Sequence, residues 1–306
     1  MDLRQIEYFV RVAELGSFTK ASIDLNIAQP ALSRQVRLLE VELGQTLLFR
    51  NGRGVSPTEG GKLLLEHGRG IMYQIERTRE ELSKLKGSLV GRVALGMPPS
   101  LSKLLTLPLI NRFNQVLPDV SLSISEGLSS QMAESLQSGN LDIALLYNAQ
   151  AADDIELLPL GSERLYLVRK GTTAEQIRVG EGIPLKKLTH ERLITPSSHN
   201  AIRLFLQSEM INLGLRPNII LEIDGIALIL DLVANGQGTG VLSMNAVKSL
   251  GGDHHFDIHP LVDPDLSIKL YLATSNRRPS THTQLAMLKL IREQIQCYVS
   301  GQYPER

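Results

Sequence analysis

The residues from Asn26 to Gly44, NIAQPALSRQVRLLEVELG, constrain this chain more than any other stretch. Leu32, Val36, Leu39 and Leu43 recur at helical spacing, so one side of the helix faces a core. Pro30 stands in the first turn, where its missing N–H costs nothing, and Gly44 is placed to end the helix. The other side carries Gln29, Ser33, Arg34 and Arg37. Upstream, Leu3, Ile6, Val10 and Ala13 predict a first helix stopped by Gly16. Ser17 is placed to cap a short second helix that buries Phe18, Ala21 and Leu25. Downstream, TLLFR and GVSPT read as two extended pieces joined by Asn51-Gly52, a hairpin-turn pair. Three short helices followed by a hairpin predict a winged helix-turn-helix over residues 1–58.

In such a head the helix after the tight turn enters the major groove with its N-terminal residues toward base edges. Gln29, Pro30, Ser33 and Arg34 are therefore the candidate base readers: Gln suits adenine, Arg suits guanine, and proline offers apolar contact to a thymine methyl. Arg37 and Arg50 are candidates for phosphate contacts, and Arg53 on the hairpin for the flanking minor groove. The bland alternative is a helix side that meets only water. Net charge does not decide between them, because 32 basic and 32 acidic residues leave the chain at +0.

The segment DLRQIEYFVRVAELGSFTKASIDLNIAQPALSRQVRLLEVELGQTLLFRNGRGVSPTEGG closely resembles the N-terminal domain of LysR-type transcriptional regulators. The match is dense in SFTKA, in QPALSRQVRLLE and in the hairpin up to PTE, and looser over the rest of the chain. It departs at Ser22 and Gly60, where the family commonly has alanine, and at Ala28, where serine often caps the recognition helix. Loss of that hydroxyl weakens the helix start by ~1 kcal/mol. The resemblance implies a non-enzymatic regulator that binds double-stranded promoter DNA as a homo-oligomer, a dimer of dimers, with RNA polymerase as a further candidate partner. SGNLDIALLYN and ERLYLV are also similar to the nitrogen assimilation control subgroup, which raises an effector-independent regulator as the alternative.

From Thr58, a predicted helix cap, residues 59–88 read as a linker helix ending near Lys86 with Gly87 as its stop. Leu64, Gly68, Ile71, Ile75, Thr78, Leu82 and Leu85 alternate in steps of four and three, a coiled-coil seam. The helix spans roughly 40 Å at 1.5 Å per residue, too long to fold back within a small head. Leu64, Ile71, Ile75, Leu82 and Leu85 are the candidate dimerisation residues. Gly68 and Gly70 serve a close helix approach or a bend.

Residues 89–306 change texture. RVALGM, VSLSISE, LDIALLY, ERLYLVRK, RLITP, NIILEI, GVLSM and SIKLYLAT read as strands, with helices between, which predicts a mostly parallel α/β sheet. The whole is then multi-domain, α followed by α/β. The resemblance implies an effector domain similar to periplasmic binding proteins, with lobe I over about 89–161 and 267–306 and lobe II over about 162–266. A small-molecule effector would sit between lobes, at strand ends and helix N-termini. The loops facing such a cleft supply Pro99, Ser100, Ser129, Ser130, Pro196, Ser197, Ser198 and Asp224.

Other motifs lead nowhere. GQGTG follows a helix and precedes a strand, the reverse of a dinucleotide loop. DHHFDIHP gathers Asp253, His254, His255, Asp257 and His259, but adjacent histidines point apart, and Asp257 and His259 are expected on the exposed side of a strand; no metal or cofactor is expected. Cys297 is the single cysteine, so no disulfide forms within one chain. No grouped nucleophile, base and oxyanion donors suggest an enzyme. No leader and no apolar run of membrane length are apparent, so a cytoplasmic protein is expected. A solute-binding protein remains a rival reading, though it leaves the head and the heptads unexplained.

Overall fold

The computed structural model describes residues 1–51, 54–84, 89–173, 175–276 and 280–299. It divides into two compact units, Met1–Ser88 and Leu89–Arg306.

In the first unit, α1 (Leu3–Leu15) starts at a capping box. The Asp2 carboxylate accepts from Gln5 N–H at 2.8 Å, and the Gln5 side chain accepts from Asp2 N–H. Gly16 closes it in the left-handed conformation. Ser17 caps α2 (Phe18–Asp24), and α3 (Gln29–Leu43) follows after a turn in which Asn26 is left-handed. Ala28 gives α3 no side-chain cap. Ile6, Phe9 and Val12 of α1, Phe18 and Ala21 of α2, and Leu32, Val36 and Leu39 of α3 form one core. Leu43, counted by spacing on the apolar side, is 39% exposed; Leu47 and Leu48 of the next segment enter the core instead. β1 (Leu48–Asn51) and β2 (Gly54–Pro57) pair antiparallel with Asn51 opposite Gly54. Gly52 and Arg53, the tip of the expected wing, lie outside the described residues.

Thr58 opens α4 (Glu59–Lys84): its hydroxyl accepts from Gly61 N–H at 3.0 Å and donates to the Thr46 carbonyl at 2.7 Å. A Cβ at Gly61 would lie 2.0 Å from the Leu47 carbonyl oxygen, so only glycine lets the helix start there. At Gly68 a Cβ would come within 2.8 Å of Val10 Cγ2. That glycine therefore serves a close approach of α4 to α1 of the same chain, while Gly70 meets nothing within 4 Å. The heptad seam accordingly divides. Leu64 and Ile71 pack half-buried on the head core, and Arg69 pairs with Glu14 at 2.9 Å. Leu82, further along, is 59% exposed. Leu85 and the expected stop at Gly87 lie outside the described residues.

The second unit begins with β3 (Gly91–Met97), α5 (Pro99–Val116), β4 (Val120–Glu126), α6 (Ser129–Ser138) and β5 (Ile143–Tyr147). β4 and β5 both lie parallel to β3, and β5 is buried along its length, as its apolar run demands. β6 (Ile155–Lys170) then runs sixteen residues. It is followed by β7 (Ile177–Val179), β8 (Ile183–Pro184), a 3-10 turn (Leu185–His190), β9 (Leu193–Thr195), α7 (Ala201–Asn212) and β10 (Ile219–Glu222). The chain continues through α8 (Ile226–Ala234), β11 (Gly240–Ser243), α9 (Met244–Leu250), β12 (Phe256–Val262), β13 (Ser267–Ser275) and α10 (His282–Val299).

The sheet is mixed, not mostly parallel. β13 runs antiparallel to both β5 and β6, and β6 is antiparallel to β11 and β12. β6 serves both halves of the unit: Ile155–Arg164 pairs with β13, and Leu165–Lys170 with β11 and β12. Sequence reading found only its second half, because Pro159 and Gly161 look like turn residues. A register shift against Leu270 and Tyr271 absorbs them as a bulge. β9 and β10 form a separate parallel pair. α10 is tied to the start of the unit, with the Thr283 hydroxyl donating to the Val90 carbonyl at 3.0 Å.

Candidate nucleic-acid interface and ligand cavity

Burial of Leu32, Val36 and Leu39 fixes the rotation of α3 and so decides which residues it shows to solvent. Gln29, Pro30, Arg34 and Arg37 are exposed, and Ser33 is half-buried beside them. Ser33 Oγ accepts from Arg50 Nη1 at 3.2 Å. The Arg50 guanidinium also lies 4.6 Å from the centre of the Phe18 ring and 3.8 Å from Glu40. Arg50 therefore binds the hairpin to α2 and α3, a role that its sequence position did not announce. Arg53 is outside the described residues.

Several acids of the head are engaged elsewhere. Asp24 and Glu14 receive Arg11, Glu14 also receives Arg69, and Glu40 accepts Leu47 N–H at 2.9 Å besides facing Arg50. The hydrogen bond to Asp24 raises the pKa of Arg11 further above its ordinary value. Among the described residues Arg34 and Arg37 have no acidic partner. A chain of zero net charge thus presents a locally basic edge, because its neutralising carboxylates sit on other faces.

In the second unit, a cavity of about 590 Å³ opens between β5, β6, α6 and the start of α7. Leu146, Leu157, Leu204 and Phe205 give it apolar walls; Ser129, Ser130, Asn148 and His199 bring polar groups. Its size and this mixture suit a small organic molecule. Ser129 Oγ accepts from Tyr147 N–H at 3.0 Å, which leaves its own proton for a guest.

Of the eight sequence-predicted ligand residues, Ser129 and Ser130 line this cavity; Pro99, Ser100, Pro196, Ser197, Ser198 and Asp224 do not. Ser100 is buried. Asp224 accepts from Ser197 N–H at 3.1 Å, and hydrogen bonding from the Ser197 side chain, with help from that N–H, holds its carboxyl below the usual range. These loops are thus partly occupied by one another. Sequence reading missed Leu204 and Phe205, although a signal existed. The core face of α7 is filled by Ile202, Leu206 and Met210, while Phe205 is only partly buried at its edge and Leu204 is 53% exposed, so these two apolar residues have surface left for another purpose.

The histidine-rich segment disperses. His254 meets Asp231 at 2.9 Å, His255 the Glu175 carbonyl at 3.0 Å and His259 the Glu181 carbonyl at 3.0 Å. Asp257, expected on the exposed side with His259, is instead buried, because Arg178 reaches it at 2.8 and 3.0 Å and Thr172 at 2.6 Å. GQGTG follows α8 and leads into β11, as its sequence order implied. Among the described residues no helix is long and apolar enough to cross a membrane.

A winged head with an acid-free helix edge, joined in one chain to an α/β unit with a ligand-sized cavity, defines a DNA-binding regulator. Comparison with known proteins narrows the class. Residues 3–62 match the model of the bacterial regulatory helix-turn-helix protein, lysR family, and residues 86–296 match the LysR substrate binding domain. The nitrogen assimilation regulatory protein nac of Klebsiella aerogenes is 35% identical over 278 residues, covering 90% of each chain. Full-length OxyR from Pseudomonas aeruginosa superimposes with a TM-score of 0.73 at 22% identity, covering 97% of this chain and 95% of that one. Full-length CbnR, solved with its target DNA, gives 0.63 at 20% identity, covering 96% and 100%. The chain belongs to the LysR family of transcriptional regulators. It is a DNA-binding regulator with an effector-binding domain, not an enzyme.

Proposed function

We propose that the head binds double-stranded promoter DNA by seating α3 in the major groove. Gln29, Pro30, Ser33 and Arg34 face base edges there, and Arg37 and the wing arginine Arg53 meet the backbone and the flanking minor groove. The observation that carries this reading is the exposed edge of α3, where Arg34 and Arg37 have no acidic partner among the described residues. CbnR, of the same fold, was solved on its target DNA. The protein acts in the cytoplasm as a homo-oligomer, a dimer of dimers, in which Ile75, Leu82 and Leu85 of α4 supply the pairing seam. Avidity between linked heads offsets the modest charge of each one. A small effector in the cavity beside Ser129 and Ser130 shifts the population of oligomer conformations, and RNA polymerase is the partner that reads the result. The domains run over 1–58, 59–88 and 89–306, with lobes exchanging along β6 and β13. A salt series on promoter DNA tests the reading: the intact chain should footprint a defined site and lose affinity steeply with salt. Binding that is equal on all sequences would refute it.

A further inference from the structure

Arg50 leaves β1 in the hairpin and reaches back onto α3, where its Nη1 donates to Ser33 Oγ at 3.2 Å. Two further contacts set the pose of the guanidinium. The centre of the Phe18 ring is 4.6 Å away, and a Glu40 oxygen lies 3.8 Å from Nη2. Both are held from behind. Phe18 is buried in the head core, and the other Glu40 oxygen accepts from Leu47 N–H at 2.9 Å and from Leu48 N–H at 3.2 Å. A planar guanidinium can lie on an aromatic ring and still point its N–H groups outward in its own plane.

A serine hydroxyl has one proton and two lone pairs, so at a base edge it serves as donor or acceptor. Ser33 is half-buried on the side of α3 that shows Gln29, Pro30 and Arg34. Among the described residues its oxygen accepts from Arg50 and its proton has no acceptor. Because the partner is a cation, the O–H dipole turns away from it and presents the proton to solvent. The second lone pair stays open, but a base amino group brought to it would approach the positive guanidinium.

We propose that Arg50 is a positioning residue for sequence preference: it commits the Ser33 hydroxyl to donate. Ser33 then selects a base with a major-groove acceptor, guanine, adenine or thymine, and rejects cytosine, whose edge offers the N4 amino group. The bias comes from a residue 17 positions away in the sequence that itself touches no base. The inference rests on α3 lying in the major groove.

The test uses the full-length protein on duplexes carrying its selected site, with each of the four bases in turn at the position whose preference Ser33→Ala relaxes. The parent should bind the cytosine duplex at least about fivefold more weakly than the best of the other three, as expected for one hydrogen bond. Arg50→Met keeps the stem against Phe18 and removes the donors. Arg50→Lys, the milder change, keeps a cation without the planar fork, and it carries the test should the methionine variant unfold. Both should shrink the cytosine discrimination to about twofold or less, and Arg50→Lys should keep the salt dependence of the parent. In a Ser33→Ala background neither should alter base preference further. The proposal is overturned if Ser33→Ala weakens every duplex alike or none, if cytosine is the preferred base, or if the discrimination survives both Arg50 changes. It is overturned equally if Arg50→Lys behaves as the parent while Arg50→Met loses affinity on every duplex, which would make Arg50 a phosphate contact. A parent that binds all sequences alike refutes the seating of α3 and this inference together. Selective binding with unchanged preference in the Arg50 variants refutes this inference alone.

Discussion

Two substitutions in α4 separate the tasks of its two halves. Ile71 packs half-buried on the head core, and Ile71→Ala removes three carbons from that contact. At ~0.8 kcal/mol for each fully buried carbon, halved for partial burial, the head loses about 1–2 kcal/mol with a small cavity included. That loss is internal to one chain and independent of concentration. Leu82 is 59% exposed, so Leu82→Lys costs a single chain at most ~0.5 kcal/mol. Its effect comes through lost pairing and therefore depends on protein concentration. Urea unfolding at two protein concentrations, with sedimentation velocity in parallel, distinguishes the cases. Ile71→Ala should lower the unfolding midpoint equally at both concentrations and keep the oligomer. Leu82→Lys should sediment as a smaller species and shift its midpoint only as far as dissociation dictates. The reasoning fails if Leu82→Lys sediments like the parent, or if Ile71→Ala unfolds like it.

Three other outcomes are expected. Arg34→Ala should cost ~1–3 kcal/mol at the cognate site and relax preference at one base position in a binding-site selection; an equal loss on every sequence would make Arg34 a phosphate contact. Ala28→Ser places a hydroxyl near Ala31 N–H, at present bonded to the Ala28 carbonyl at 3.0 Å, and should stabilise the head by ~1 kcal/mol in a thermal melt. Asp257 is held below the usual carboxylate value of 3.8, chiefly by its hydrogen bond from Arg178 and with help from Thr172, against the opposing effect of burial. A depressed folded-state pKa contributes stability that is complete above the unfolded value and is lost as pH falls through the folded one. Asp257→Asn should therefore flatten the decline in melting temperature as the solution is acidified below the ordinary carboxylate range, and an unchanged slope would assign that decline to other carboxylates.

The sequence by itself determined the head. Its helices are short, each buries residues at one period, and their ends carry side chains or glycines whose geometry is local: Asp2, Ser17, Gly16, Gly44 and Thr58. Local rules suffice where each partner lies within a few residues. They fail where a residue answers to a distant strand. Pro159 and Gly161 look like breakers until β13 pairs across them, and Asp257 looks exposed until Arg178 is brought against it from a neighbouring strand. The heptad pattern of α4 says that one face is apolar, but only packing shows that Leu64, Gly68 and Ile71 spend that face on α1 of their own chain while Leu82 keeps it free. The cavity followed the same logic. Ser129 and Ser130 were legible as residues at the start of a helix, whereas Leu204 and Phe205 join them only because α7 is rotated by the burial of Ile202, Leu206 and Met210. A periodic pattern states which residues share a face; what that face meets is decided by long-range packing, which the pattern does not contain.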